Sequence, residues 1–112
     1  MQDIETFLIK LKVVLSKFFP DSHIKYILNT PRSLKANIPV NIDTFISIRY
    51  NSRNGRKDFA LIYRGQRVFG YDNLKIWHIH PFNAQNTHLP CKEPPMEQIF
   101  IEMEDICKRL AK

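Results

Sequence analysis

Apolar residues near the start of the chain recur at intervals of three and four. In DIETFLIKLKVVLSKFFP, Ile4, Phe7, Leu8, Leu11, Val14, Leu15 and Phe18 fall on one stripe of a helix, with Asp3 placed to cap it and Pro20 to stop it. The C-terminal end repeats the pattern. Met96, Ile99, Phe100, Met103, Ile106, Cys107 and Leu110 form a second stripe after Pro94 and Pro95, which suit a helix start. Between the two stripes the period changes to two. Ile24, Tyr26 and Leu28 alternate in HIKYILNT, which predicts a first strand, and PRSLKANIP after it reads as a loop of about ten residues. DTFISIRY and KDFALIYR flank NSRNGR, whose Asn54 and Gly55 are a hairpin signal. A tight turn around Gly65 leads into VFGYD, and another near Asp72 to Leu74 leads into KIWHIHP. The sum is an α+β fold: an antiparallel meander sheet of four or five strands flanked by an N-terminal and a C-terminal helix. With both helices stripe-down on one sheet face, the other face is left for polar side chains.

Length and composition narrow this further. A chain of 112 residues forms one ordinary domain, here residues 1–112, and leaves no room for a second core. Hydrophobic residues at 44% and charged residues at 25%, without a low-complexity tract, indicate a folded domain rather than a disordered one. No apolar run approaches the roughly 20 residues that span a bilayer, and Lys10 and Lys12 interrupt the N-terminal apolar stretch. A soluble cytoplasmic protein without a membrane partner is therefore expected. Cys91 and Cys107 are too few for a disulfide scaffold and are expected as free thiols, Cys107 as simple core packing.

The net charge of +6 is concentrated in the middle of the chain. Residues 23–90 carry ten basic and three acidic side chains, whereas the segments on either side are close to balanced. Such a concentration favours a polyanionic partner, RNA or DNA, because Lys and Arg displace condensed counterions from phosphates. Arg49, Arg53, Arg56, Arg64 and Arg67 are the candidate nucleic-acid contacts. A merely solvated basic surface remains the alternative.

The histidines change the picture most. His78, His80 and His88 lie within eleven residues of one another. On a strand His78 and His80 share a face, about 7 Å apart, while Trp77 and Ile79 face the other way. Pro81 ends the strand, and the polar loop after it can fold His88 back toward the pair. One reading is metal-independent RNA cleavage. A base deprotonates a 2′-hydroxyl, an acid protonates the leaving 5′-oxygen, and arginines stabilise the phosphate. The candidate catalytic residues are His78, His80 and His88, with Tyr71 as an auxiliary donor, and this reading needs no metal and no cofactor. A second reading is a zinc site, since HxH on a strand plus a third ligand is good geometry for a metal. The HIHP segment is similar to that of JAMM-type metallopeptidases, but His88 and Cys91 stand where a serine and an aspartate belong, and no glutamate lies near the first central strand to act as base. A third reading is a nucleic-acid binding module whose aromatics stack on bases, with structural histidines. No GxGxxG or GxxxxGK[ST] motif is present.

The order of features from Arg56 onward resembles the TumE-like toxins of prokaryotic type II toxin–antitoxin systems. The matching positions are Tyr71, Asp72 and Asn73 for a Tyr-Asp-Asn segment, His78, His80 and Pro81 for a histidine segment ending in proline, and His88 for a later histidine segment. The match covers the C-terminal half. It departs from the family pattern in the inserted LKIW, in the HIH spacing, and in the single later histidine. The resemblance implies a growth-inhibiting toxin that acts on RNA and is neutralised by a cognate antitoxin protein. Homodimer formation is left open, since HIKYILNT offers an edge strand but carries Lys25.

Overall fold

The computed structural model describes residues 2–84 and 86–111. An N-terminal helix, α1 (Ile4–Phe18), is followed by seven strands and a C-terminal helix, α2 (Met96–Leu110). The strands are β1 (Lys25–Asn29), β2 (Ser33–Asn41), β3 (Thr44–Asn51), β4 (Lys57–Tyr63), β5 (Gln66–Asp72), β6 (His78–His80) and β7 (Leu89–Pro90). Neighbours in sequence are neighbours in space: the sheet order is β1 to β7, every pair antiparallel. The class is the expected α+β, with more strands than the four or five expected. No helix among the described residues is long and apolar enough to cross a membrane.

Both helices form where their stripes predict. Asp3 caps α1 by accepting the Thr6 amide at 2.7 Å, and Ile4, Phe7, Leu11 and Leu15 are buried along it. In α2, Ile99, Phe100, Met103 and Ile106 are buried. Both helices cover one face of the sheet. Phe7 stacks on Tyr50 at 4.6 Å between ring centroids, and Phe59 meets Phe100 edge to face at 6.3 Å. Alternation then assigns Leu34, Ala36 and Ile38 of β2, Ile46 and Ile48 of β3, and Leu61 of β4 to the same buried layer. The residues between them line the open face, where no helix lies.

Two strands were not expected from the sequence. The segment read as a loop, PRSLKANIP, forms most of β2, which lies between β1 and β3 in register Ala36 to Ile48 and Ile38 to Ile46. Its alternation is real, but small and polar residues alternate with Leu34 and Ile38, Pro31 precedes the strand and Pro39 lies within it. Pro39 is tolerated where the register shifts, between Pro39 and Asn41. The short β7 pairs Leu89 with Ile79 and Pro90 with His78. The turns carry the expected chemistry: Arg64 and Gly65 both have positive φ (49° and 80°), as a two-residue hairpin between Tyr63 and Gln66 requires.

Candidate active site

The β5–β6 connection folds Asp72 onto the histidines. Strand register sets Asp72 opposite His78 and Gly70 opposite His80, so that Asp72, His78 and His80 all rise from the open face. Continuing the β6–β7 register by one residue sets His88 opposite His80, which brings the third ring in. Ring centroids are 5.4 Å apart for His78 and His80, 5.6 Å for His78 and His88, and 4.3 Å for His80 and His88. One ring nitrogen from each of the three lies within 4.8 Å of the others.

Asp72 is the hub. One carboxylate oxygen accepts from His80 Nε2 at 2.7 Å, and the other lies 3.1 Å from His78 Nε2 and accepts the Leu74 amide at 3.1 Å. His78 Nδ1 lies 2.8 Å from the Ile76 carbonyl, which can only accept. The Ile76 carbonyl therefore takes the Nδ1 proton, and Nε2 is left facing the Asp72 carboxylate. Asp72 and His80 are each only 5% exposed, while His78 is half-buried and His88 exposed. Burial by itself would raise the Asp72 carboxyl, but the His80 hydrogen bond, the Leu74 amide and the charges of His78 and His80 together hold it below the ordinary carboxylate range.

A bulge brings an arginine to the same hub. Leu61 pairs with Phe69 but Ile62 pairs with Arg67, so Val68 is an extra residue in β5. Without it Arg67 would face the helices; with it Arg67 joins the open face. Its guanidinium lies 3.0 Å from Asp58 and 3.9 Å from Asp72. Ala60 and Gly70, paired across β4 and β5, offer little or no side chain there. Gly70 has a further reason to be glycine, since a Cβ would sit 2.5 Å from the Phe59 carbonyl oxygen.

The other expected site residues are distributed unevenly. Tyr71 is not brought to the histidines. It points to the helix face, where its hydroxyl donates to Glu102 at 2.7 Å and meets Phe69 edge to face. Burial, then the Glu102 hydrogen bond and the charges of Glu102 and Cys91, push its ionisation far above the ordinary phenol range. Arg49 stands on the open face beside Lys35 and pairs in register with Asp58. Lys35, Arg49 and Arg56 border one shallow depression. Arg53 is exposed in the same β3–β4 connection. Arg64 is at the opposite end of the sheet, 3.6 Å from Asp43 and over the Tyr63 ring at 5.0 Å, remote from the histidines. Cys91 is one residue beyond Pro90, on the helix side, where it packs against the core.

Asp72 and Asn73 were not singled out as site residues by sequence reasoning. Asn73 ties the β5–β6 connection to the β3–β4 loop, accepting the Lys57 amide at 2.7 Å and donating to the Gly55 carbonyl at 2.9 Å. The three residues of YDN thus go three ways: Tyr71 to α2, Asp72 to the histidines, Asn73 to the neighbouring loop. The available signal was parity, because a carboxylate and a histidine facing each other across a hairpin occupy the same face. Comparisons with protein-family models, with curated proteins and with solved structures find no match to this chain.

Proposed function

We propose that this protein is a toxin component of a toxin–antitoxin system and cleaves RNA by proton transfer, without a metal, at the histidine cluster. The observation that carries the reading is the Asp72 hub: a nearly buried carboxylate that holds two imidazoles beside a third on a solvent-facing surface. His78, steadied at Nδ1 by the Ile76 carbonyl and facing Asp72 through Nε2, is suited to give a proton to the leaving 5′-oxygen. The exposed His88 is suited to take one from the 2′-hydroxyl. The 2′-oxygen then forms a bond to phosphorus as the bond to the 5′-oxygen breaks, leaving a 2′,3′-cyclic phosphate. His80, held by Asp72 and nearly buried, positions the other two.

The charge distribution supports RNA as substrate. Lys35 and Arg49 continue the row that holds Asp58, Asp72 and His78, one strand after another. At about 4.8 Å per strand, Arg49 stands roughly 14 Å from His78, within reach of an adjoining part of one bound strand. Arg67, engaged with Asp58 and Asp72, offsets the carboxylates that would otherwise repel phosphate. The resemblance of the C-terminal half to TumE-like toxins supplies the cellular role, and an acidic antitoxin segment would mask the same basic row.

The test is induced expression in a heterologous host, following growth and total RNA together. Wild type is expected to arrest growth and fragment RNA, and His78→Ala and His88→Ala to do neither while accumulating as folded protein. Normal growth and intact RNA with folded wild type would overturn the reading.

A further inference from the structure

We infer that His78, His80 and His88 also form a binding site for one divalent transition-metal ion of the zinc class. Three imidazole donors converge here, two from alternate positions of β6 and one from the far side of the β6–β7 connection. Three imidazole donors on one metal ion leave a position open for solvent or substrate. Nitrogen donors of this kind suit zinc, copper, nickel or cobalt and do not suit magnesium or calcium.

The second, independent observation is the shell around the rings. Metal-bound histidines hold their orientation by donating the other ring N–H to a carboxylate or a backbone carbonyl. Here the Ile76 carbonyl holds His78 through Nδ1, and Asp72 holds His80 through Nε2. Asp72 is itself held by the Leu74 amide and approached by Arg67. Zn–N distances of about 2.0–2.1 Å at tetrahedral angles set the nitrogens about 3.4 Å apart. The present separations, up to 4.8 Å, close by rotation of the rings and a small movement of exposed His88.

Metal and proton transfer would compete for the same ring nitrogens, so zinc switches cleavage off. This last step rests on the RNA-cleavage reading; the binding site does not. The experiment is titration of Zn²⁺ into the purified chain by calorimetry in the absence of RNA, with Mg²⁺ as the comparison ion. One Zn²⁺ per chain and no Mg²⁺ binding are expected. His78→Ala and His88→Ala should each weaken binding by about tenfold or more, and Asp72→Asn by about 10- to 100-fold through the lost orientation of His80. His23→Ala, remote in sequence from the cluster, should leave binding unchanged. Folding of each variant is verified by circular dichroism, and Co²⁺ substitution gives a visible spectrum that reports imidazole ligation directly. Absence of Zn²⁺ binding by folded wild type, or binding unchanged in folded His88→Ala, would overturn the inference. Zinc binding by a protein that cleaves no RNA would leave the site standing and remove the nuclease.

Discussion

Asp72 concentrates the chemistry of the open face at one side chain. It is 5% exposed, and it serves His80, His78 and the Leu74 amide at once. Asp72→Asn keeps the shape but exchanges an acceptor for a donor that faces ring N–H groups. Leaving buried partners poorly satisfied costs about 1–3 kcal/mol. The urea unfolding midpoint should therefore fall accordingly, with an unchanged m-value. A second residue-scale prediction concerns Cys107, whose thiol is pushed up to about 11 by burial and then by Glu104. Its neutral form is the one the fold favours. The stability it contributes is fully present below the ordinary thiol range and is lost as pH rises through about 11. Wild type should lose more stability than Cys107→Ala between pH 8 and 11 in urea titrations. The histidines were legible at this scale because HIH needs only strand parity. Asp72 was not, since its role depends on a hairpin register that no single stretch of sequence states.

Whole elements were legible in proportion to the strength of their periodicity. The stripes of α1 and α2 bury large residues at every third or fourth position, and both helices form where those residues predict. Segment β2 hid behind Ala36, Asn37 and Pro39, whose side chains are small or polar although the strand is paired on both sides. With just two residues, β7 has no period to read. The bulge at Val68 is likewise invisible locally, yet it decides which face Arg67 occupies. Gly70→Ala tests how tightly β4 and β5 approach beside that bulge. Its Cβ would meet backbone, which cannot rotate away, so a loss of about 1–3 kcal/mol is expected by denaturant unfolding. An unchanged midpoint would mean that the two strands can separate at no cost there.

At the scale of the molecule, a sheet covered by helices on one side leaves its other side to carry charge. The basic middle of the chain resolves into a row on that face, Lys35 and Arg49, with Arg53 and Arg56 at the adjoining loop. Arg64 lies apart at the other end. Composition gave the excess of charge but not this division, because the register of β2 with β3 sets it. RNA affinity measured against salt distinguishes the groups. Arg49→Ala should reduce the slope of log K against log salt by about one and weaken binding to all sequences, while Arg64→Ala changes neither. Equal effects at both positions would place the RNA elsewhere.

The central claim is that the histidine cluster cleaves RNA by acid–base chemistry. It is tested most directly with purified wild-type and His88→Ala protein on a synthetic RNA in the presence of a chelator, reading product termini by mass spectrometry alongside binding affinity. The account predicts 2′,3′-cyclic phosphate ends from wild type, loss of cleavage in His88→Ala, and RNA affinity nearly equal in the two. Cleavage undiminished in His88→Ala, or wild type that binds RNA and leaves it whole, would contradict it.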